Sequence, residues 1–119
     1  MGSSQRNKGK RGEREVSIIF DLHGYTTHRG WQARRGQTEC DVEGTPWWVE
    51  VKRGKRVNVR SAMRQAKDDT DGREPIVVWR DDREPWMVSL TLDQFLALSA
   101  PPKPITVPFE GTGWEDDPC

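Results

Sequence analysis

Asp41 is followed, after eight intervening residues, by Glu50-Val51-Lys52, a spacing that can bring two carboxylates and an ammonium onto one patch of a hairpin. Carboxylates converging from neighbouring strands suit a hard divalent cation, Mg2+ or Mn2+, which takes oxygen ligands and keeps several waters. The Val51 carbonyl is a candidate third ligand. Clustered acids repel one another unless a cation or a nearby lysine compensates. Lys52, two residues after Glu50, is placed to orient or help deprotonate an attacking water, or to stabilise charge developing on phosphorus. Such a set fits phosphodiester hydrolysis. The same spacing also occurs on ordinary solvated sheet faces, so the surroundings decide its meaning.

The elements that must position these groups are readable from periodicity. A helix is expected from Gly12, with Val16, Ile19, Phe20 and His23 at i, i+3, i+4 and i+7, Glu13 and Glu15 in its first turn, and Gly24 as a left-handed stop. Residues 25–29 read as a short strand and 30–37 as a basic loop. Residues 39–43 and 47–52 alternate with period two around the turn Gly44-Thr45-Pro46, which makes a hairpin. Alternation sets Trp47, Val49 and Val51 on one face and Trp48, Glu50 and Lys52 on the other, where they meet Glu39, Asp41 and Glu43. After a tight basic loop, residues 58–70 are helix-prone. Residues 76–79 are a nearly continuous apolar strand, residues 86–90 form another, and Thr91 with Gln94 has the spacing of a capping box opening a last helix through Leu98. The expected order is α-β-β-β-α-β-β-α: one mixed α/β domain over residues 12–99, between a flexible basic arm (1–11) and a Pro-rich acidic tail (100–119).

With 119 residues, 33% hydrophobic and 32% charged, and a mean hydropathy of −0.89, the chain has room for one lean core. No run approaches the roughly 18 apolar residues a membrane span needs. The start carries no apolar signal segment, so a cytoplasmic location is expected, at the nucleoid or in a host cell if the protein is phage-encoded. The net charge of zero hides an asymmetry: residues 1–60 hold thirteen Lys/Arg against seven Asp/Glu, and residues 61–119 hold six against twelve. The basic half is a candidate anion-binding surface. Its members Lys8, Lys10, Arg11, Arg34, Arg35, Arg53, Lys55 and Arg56 would hold a nucleic-acid backbone by charge, without reading sequence.

The run Gly12-Glu13-Arg14-Glu15, then Gly24-Tyr25 and Arg29, then Asp41, then Val49-Glu50-Val51-Lys52, resembles the PD-(D/E)XK nuclease superfamily, and most closely the archaeal-type Holliday-junction resolvases, also found in phages. The likeness covers about residues 8–98. It implies a restriction-endonuclease-like core with a mixed central β-sheet flanked by helices. It also implies a metal-dependent site on Glu13, Asp41, Glu50 and Lys52, phosphate or DNA contacts from Arg14 and Arg29, and a homodimer acting on four-way junctions. The residue before Asp41 is Cys40 where the superfamily label has Pro. The loop after Arg29 lacks the serines such resolvases often carry, and the tail from Pro101 has no counterpart.

The resulting expectation is a structure-selective endodeoxyribonuclease that cleaves four-way DNA junctions as a twofold-symmetric dimer. Another nuclease of the superfamily, acting on flaps, ends or a specific duplex site, and a catalytically silent DNA-binding module remain alternatives. Trp31, flanked by Arg29, Arg34 and Arg35, is a candidate for stacking on an unpaired base, and Gln65 and Lys67 for phosphate contacts. His23, His28, Cys40 and Cys119 read as structural, because neither a disulfide framework nor a metal-ligand spacing includes them. Phe95, Leu98, Trp79 and Trp86 are candidates for the dimer surface.

Overall fold

A computed structural model describes residues 2–30, 39–99 and 101. Helix α1 (Gly2–Leu22) leads to β1 (His28–Arg29), β2 (Val42–Glu43) and β3 (Trp47–Gly54); α2 (Val59–Asp69) crosses to β4 (Glu74–Asp81), and β5 (Met87–Ser89) precedes α3 (Leu92–Leu98). The element order is the one periodicity predicts. The strands form one mixed sheet in the order β1-β2-β3-β4-β5, with β3 and β4 parallel and the other neighbours antiparallel. A parallel pair needs a long crossover, and α2 supplies it. Among the described residues no helix is long and apolar enough to cross a membrane.

Alternation along β3 divides the molecule. Val49 and Val51 are buried towards α1, where Gly12 approaches the Val51 side chain and the Phe20 ring lies 6.3 Å from Trp47. Trp48, Glu50 and Lys52 turn to the other face, which α2 covers. Strand β4 lies between β3 and β5, and its Ile76, Val77 and Val78 are all buried, which explains the unbroken apolar run. Asn58 caps α2 by accepting from the Ser61 N–H, and the small residues Ala62 and Ala66, one turn apart, are its buried positions. Thr91 caps α3 by accepting from the Gln94 N–H at 3.1 Å, the predicted capping contact. Gly24 (φ +101°) ends the turn after α1, and a Cβ at Gly44 (φ +109°) would run into the Thr26 carbonyl.

Several boundaries differ from expectation: β3 runs on to Gly54 and β4 spans Glu74–Asp81, two residues further at each end than the apolar run 76–79, and three differences at the start of the chain change more. Helix α1 begins at Gly2, not at Gly12, so residues 2–11 are helical where a flexible arm was expected. Lys8 is tied to Asp82 at 3.0 Å, and Gly12 is a mid-helix point of close approach to β3 and Trp86. The strand over 25–29 shrinks to His28–Arg29, because the Thr27 N–H is taken by the Asp21 carboxylate at 2.8 Å and the Tyr25 N–H by the Phe20 carbonyl at 3.1 Å. The first hairpin strand shrinks to Val42–Glu43. The Asp41 N–H still bonds the Val49 carbonyl at 2.9 Å, but the next donor, the Val51 N–H, goes to the Asp41 carboxylate.

Candidate active site

Glu50 enters from the middle of β3 and is 3% exposed. Its Oε2 lies 3.4 Å from Lys52 Nζ, and its buried Oε1 has no hydrogen-bond partner. Burial pushes its carboxyl above the ordinary range, Lys52 opposes the shift, and the charges of Asp69 and Glu13 add to it. Asp41, 7% exposed, arrives from the residue before β2, and its Oδ2 accepts from the Val51 N–H at 2.8 Å. Burial, then the Glu50 charge, raises its carboxyl from 3.8 to about 7; the Val51 N–H and Lys52 oppose the rise, and Glu13 adds to it. Glu13 comes from α1 and forms an ion pair with Arg29 of β1, Oε1 to Nε at 3.0 Å.

Helical spacing explains how Glu13 reaches the group. Glu13, Ser17 and Asp21 recur at i, i+4 and i+8 on one edge of α1. Ser17 Oγ meets Thr27 Oγ1 at 2.6 Å, Asp21 accepts from Thr27, and Glu13 takes Arg29, so the edge zips onto the segment running into β1. The hairpin bearing Asp41 is fixed from its far end. Arg73 donates to both Glu43 carboxylate oxygens at 3.0 and 3.1 Å and lies over the Trp48 ring at 5.3 Å.

Asp41, Glu50 and Lys52, which the strand spacing groups, and Glu13, which the resemblance adds, therefore act on one another electrostatically. Among the described residues, no three His, Cys, Asp or Glu side chains are assembled as a ready-made cation cage. Two of the carboxylates are instead held by the chain's own cations, Glu13 by Arg29 and Glu50 by Lys52. The donor set is all oxygen, and the unpartnered Glu50 Oε1 is a buried acceptor lacking a donor, so the chemistry of the group fits a hard cation. Val51 contributes its N–H to Asp41, while its side chain packs towards α1.

The basic residues divide into three groups. Lys10, Arg11 and Arg14 on α1, and Lys55 and Arg56 after β3, are exposed. Lys8, Arg29 and Arg53 are paired with Asp82, Glu13 and Glu15. Trp31, Arg34 and Arg35 lie outside the described residues, as do Cys119 and the tail beyond residue 101. A groove of about 280 Å³ runs from Lys52 past Arg56, Asn58 and Ser61 to Gln65, which places the candidate phosphate contact Gln65 on a path leading from the site. Cys40 is buried, its thiol donates to the Val42 carbonyl, and burial raises it to about 11, so it stays protonated. His23 binds the Ile19 carbonyl at 2.9 Å at the end of α1.

Two residues were missed. Asp69 ends α2, and its charge reaches Glu50; no sequence periodicity links it to Glu50. Glu15 accepts from Arg53, Arg80 and the Trp86 ring N–H at 3.0, 3.3 and 3.2 Å, tying α1 to β3 and β4. An acid between Gly12 and Val16 on the sheet-facing stripe was the available signal. No protein-family model matches the chain, and no curated protein matches it.

Proposed function

We propose that this chain is a metal-dependent, structure-selective endodeoxyribonuclease of the PD-(D/E)XK type that cleaves four-way DNA junctions by phosphodiester hydrolysis. The observation that carries the reading is the mutual electrostatic influence of Glu13, Asp41 and Glu50 beside Lys52 around the middle of β3. Mg2+ or Mn2+ held by these three carboxylates and the Val51 carbonyl would neutralise the scissile phosphate. Lys52, 37% exposed along its side chain, reaches from the buried carboxylates to solvent, where it orients the attacking water and offers a proton donor to developing charge.

The Val51 N–H fixes Asp41 through its Oδ2 at 2.8 Å. The low exposure of Asp41 and Glu50 strengthens every interaction made there, because fewer waters screen it. Lys10, Arg11, Arg14, Lys55 and Arg56 would bind the backbone, with Arg34 and Arg35 assigned the same role from the sequence and Trp31 assigned to stacking on an unpaired base. Such contacts sense shape and charge rather than base identity. A twofold dimer would present the site to both opposed strands. The exposed Leu92, Phe95, Leu96 and Leu98 of α3 offer an apolar surface for it, since clustered exposed apolar side chains favour burial against a partner.

The test incubates the protein with an end-labelled immobile four-way junction and with a linear duplex of the same sequence, each with Mg2+ and with EDTA. Paired symmetric nicks in the junction alone, lost in EDTA, are expected. Equal cutting of the duplex would remove junction selectivity, and binding without cutting would leave a silent DNA-binding module.

A further inference from the structure

Arg29 sits on β1 at the edge of the sheet, its side chain 36% exposed, and its Nε donates to Glu13 Oε1 at 3.0 Å. A guanidinium carries five donors in a planar fork suited equally to a carboxylate and to a phosphate. Glu13 has two claims on it. Its charge reaches Asp41 and Glu50, so it belongs to the candidate cation site, yet its carboxylate is held by Arg29. A divalent ion placed on Glu13 competes with the guanidinium for the same oxygens and repels it.

We propose that Arg29 is a cation-released phosphate contact: with Glu13 unliganded it stands in for the ion, and when Glu13 takes a divalent cation the guanidinium passes to a DNA phosphate at the sheet edge. The inference rests on the nuclease reading of the same site and adds a coupling to it. Cation and DNA then strengthen each other's binding by the same factor, as linkage requires. Arg29 is here a positioning and binding residue; no proton transfer is assigned to it.

A double-mutant cycle on junction binding tests this without cutting. Wild type, Glu13→Gln, Arg29→Gln and the double variant are titrated with the labelled immobile junction in Ca2+ and in EDTA, with the junction checked for integrity on the same gel and the folding of each variant checked by thermal melting. Wild type is expected to bind about fivefold or more tightly in Ca2+. Glu13→Gln in EDTA should reproduce that gain, because it frees Arg29, and should respond little to Ca2+. The gain should vanish in the double variant. A gain of equal size in the Arg29→Gln background would mean that Glu13 acts only as a negative charge repelling DNA, and would overturn the proposal.

A second measurement uses wild type alone. At fixed saturating Ca2+, the slope of log affinity against log salt should steepen by about 0.9 relative to EDTA, one additional phosphate neutralised. An unchanged slope would overturn the proposal as well. Mg2+-dependent junction cutting with an additive cycle would discard the Arg29 coupling and keep the nuclease, whereas failure to bind the junction under any condition would discard both.

Discussion

Replacing Asp41 by Asn should stabilise the protein at high pH and leave it unchanged at low pH. Burial and the neighbouring Glu50 raise the Asp41 carboxyl from 3.8 to about 7 in the folded chain. Below about pH 4 the carboxyl is protonated in both folded and unfolded states, so it contributes no difference. Between about pH 4 and 7 the folded state holds a proton that the unfolded state has released, so stability falls as pH rises, and above about 7 the full cost is present. A shift near three units, at about 1.4 kcal/mol per unit, sets an upper figure of roughly 4 kcal/mol shared between Asp41 and Glu50. Asn keeps an oxygen for the Val51 N–H, so the hydrogen bond at 2.8 Å survives while the buried charge disappears. A gain of about 2 kcal/mol corresponds to a Tm rise on the order of 5–10 °C for a chain of this size. Thermal melts of wild type and Asp41→Asn in EDTA at pH 4 and pH 8 measure it. An equal shift at both pH values, or a lower Tm for the variant at pH 8, would refute the reasoning that burial and the neighbouring Glu50 charge dominate at this position.

Glu50→Ala should abolish cleavage and spare junction binding, measured by parallel cutting and gel-shift assays; cutting at the normal rate would remove Glu50 from the site. Replacing Lys55 and Arg56 together by Ala should weaken junction binding and flatten its salt slope by about two, read from titrations at several salt concentrations. Mg2+ titrated into wild type at pH 8 should raise Tm, and the rise should be smaller in Asp41→Asn, because a cation that binds the folded state stabilises it by mass action. Ala66→Leu should destabilise by about 1–3 kcal/mol in urea unfolding, since Ala66 is fully buried on the inward face of α2 and the added carbons have nowhere to go.

The parts of this molecule legible in its sequence are those where one local rule acts alone. Strand β3 alternates cleanly, so the faces of Trp47 to Lys52 and the meeting of Asp41 with Glu50 follow from a period of two. The ends of α2 follow from Asn58 and of α3 from Thr91, residues whose side chains bond the first-turn N–H groups. Boundaries were misread where a side chain competes with the backbone ladder. Asp21 takes the Thr27 N–H and Asp41 takes the Val51 N–H, and both shorten the strands that periodicity proposes. The start of α1 was misread because the Gly-, Ser-, Lys- and Arg-rich composition of residues 1–11 suggests a flexible arm, whereas the helix runs back to Gly2 and Lys8 is tied to Asp82, far along the chain. The role of Glu15 depends on Arg80 and Trp86, more than sixty residues away in sequence, and no local pattern carries that information.

The same strand that builds the core also builds the site, and the change from one to the other takes two residues. On the α2 face of β3, Trp48 and Glu50 are 1% and 3% exposed, whereas the Lys52 side chain is 37% exposed. The carboxylate thus lies where water is scarce and an electrostatic contact is strong, while the lysine that answers it opens to the surface. Asp41 occupies the corresponding border of the neighbouring strand, with its main-chain N–H in the ladder to β3 and its carboxylate on the next N–H along. Had β2 continued regularly through residue 41, a backbone carbonyl could have taken the Val51 N–H and left the Asp41 carboxylate without an anchor. The interruption of the ladder and the fixing of the acid are one event, so a variant that restores a regular strand there should lose the geometry of Asp41 before it loses the fold.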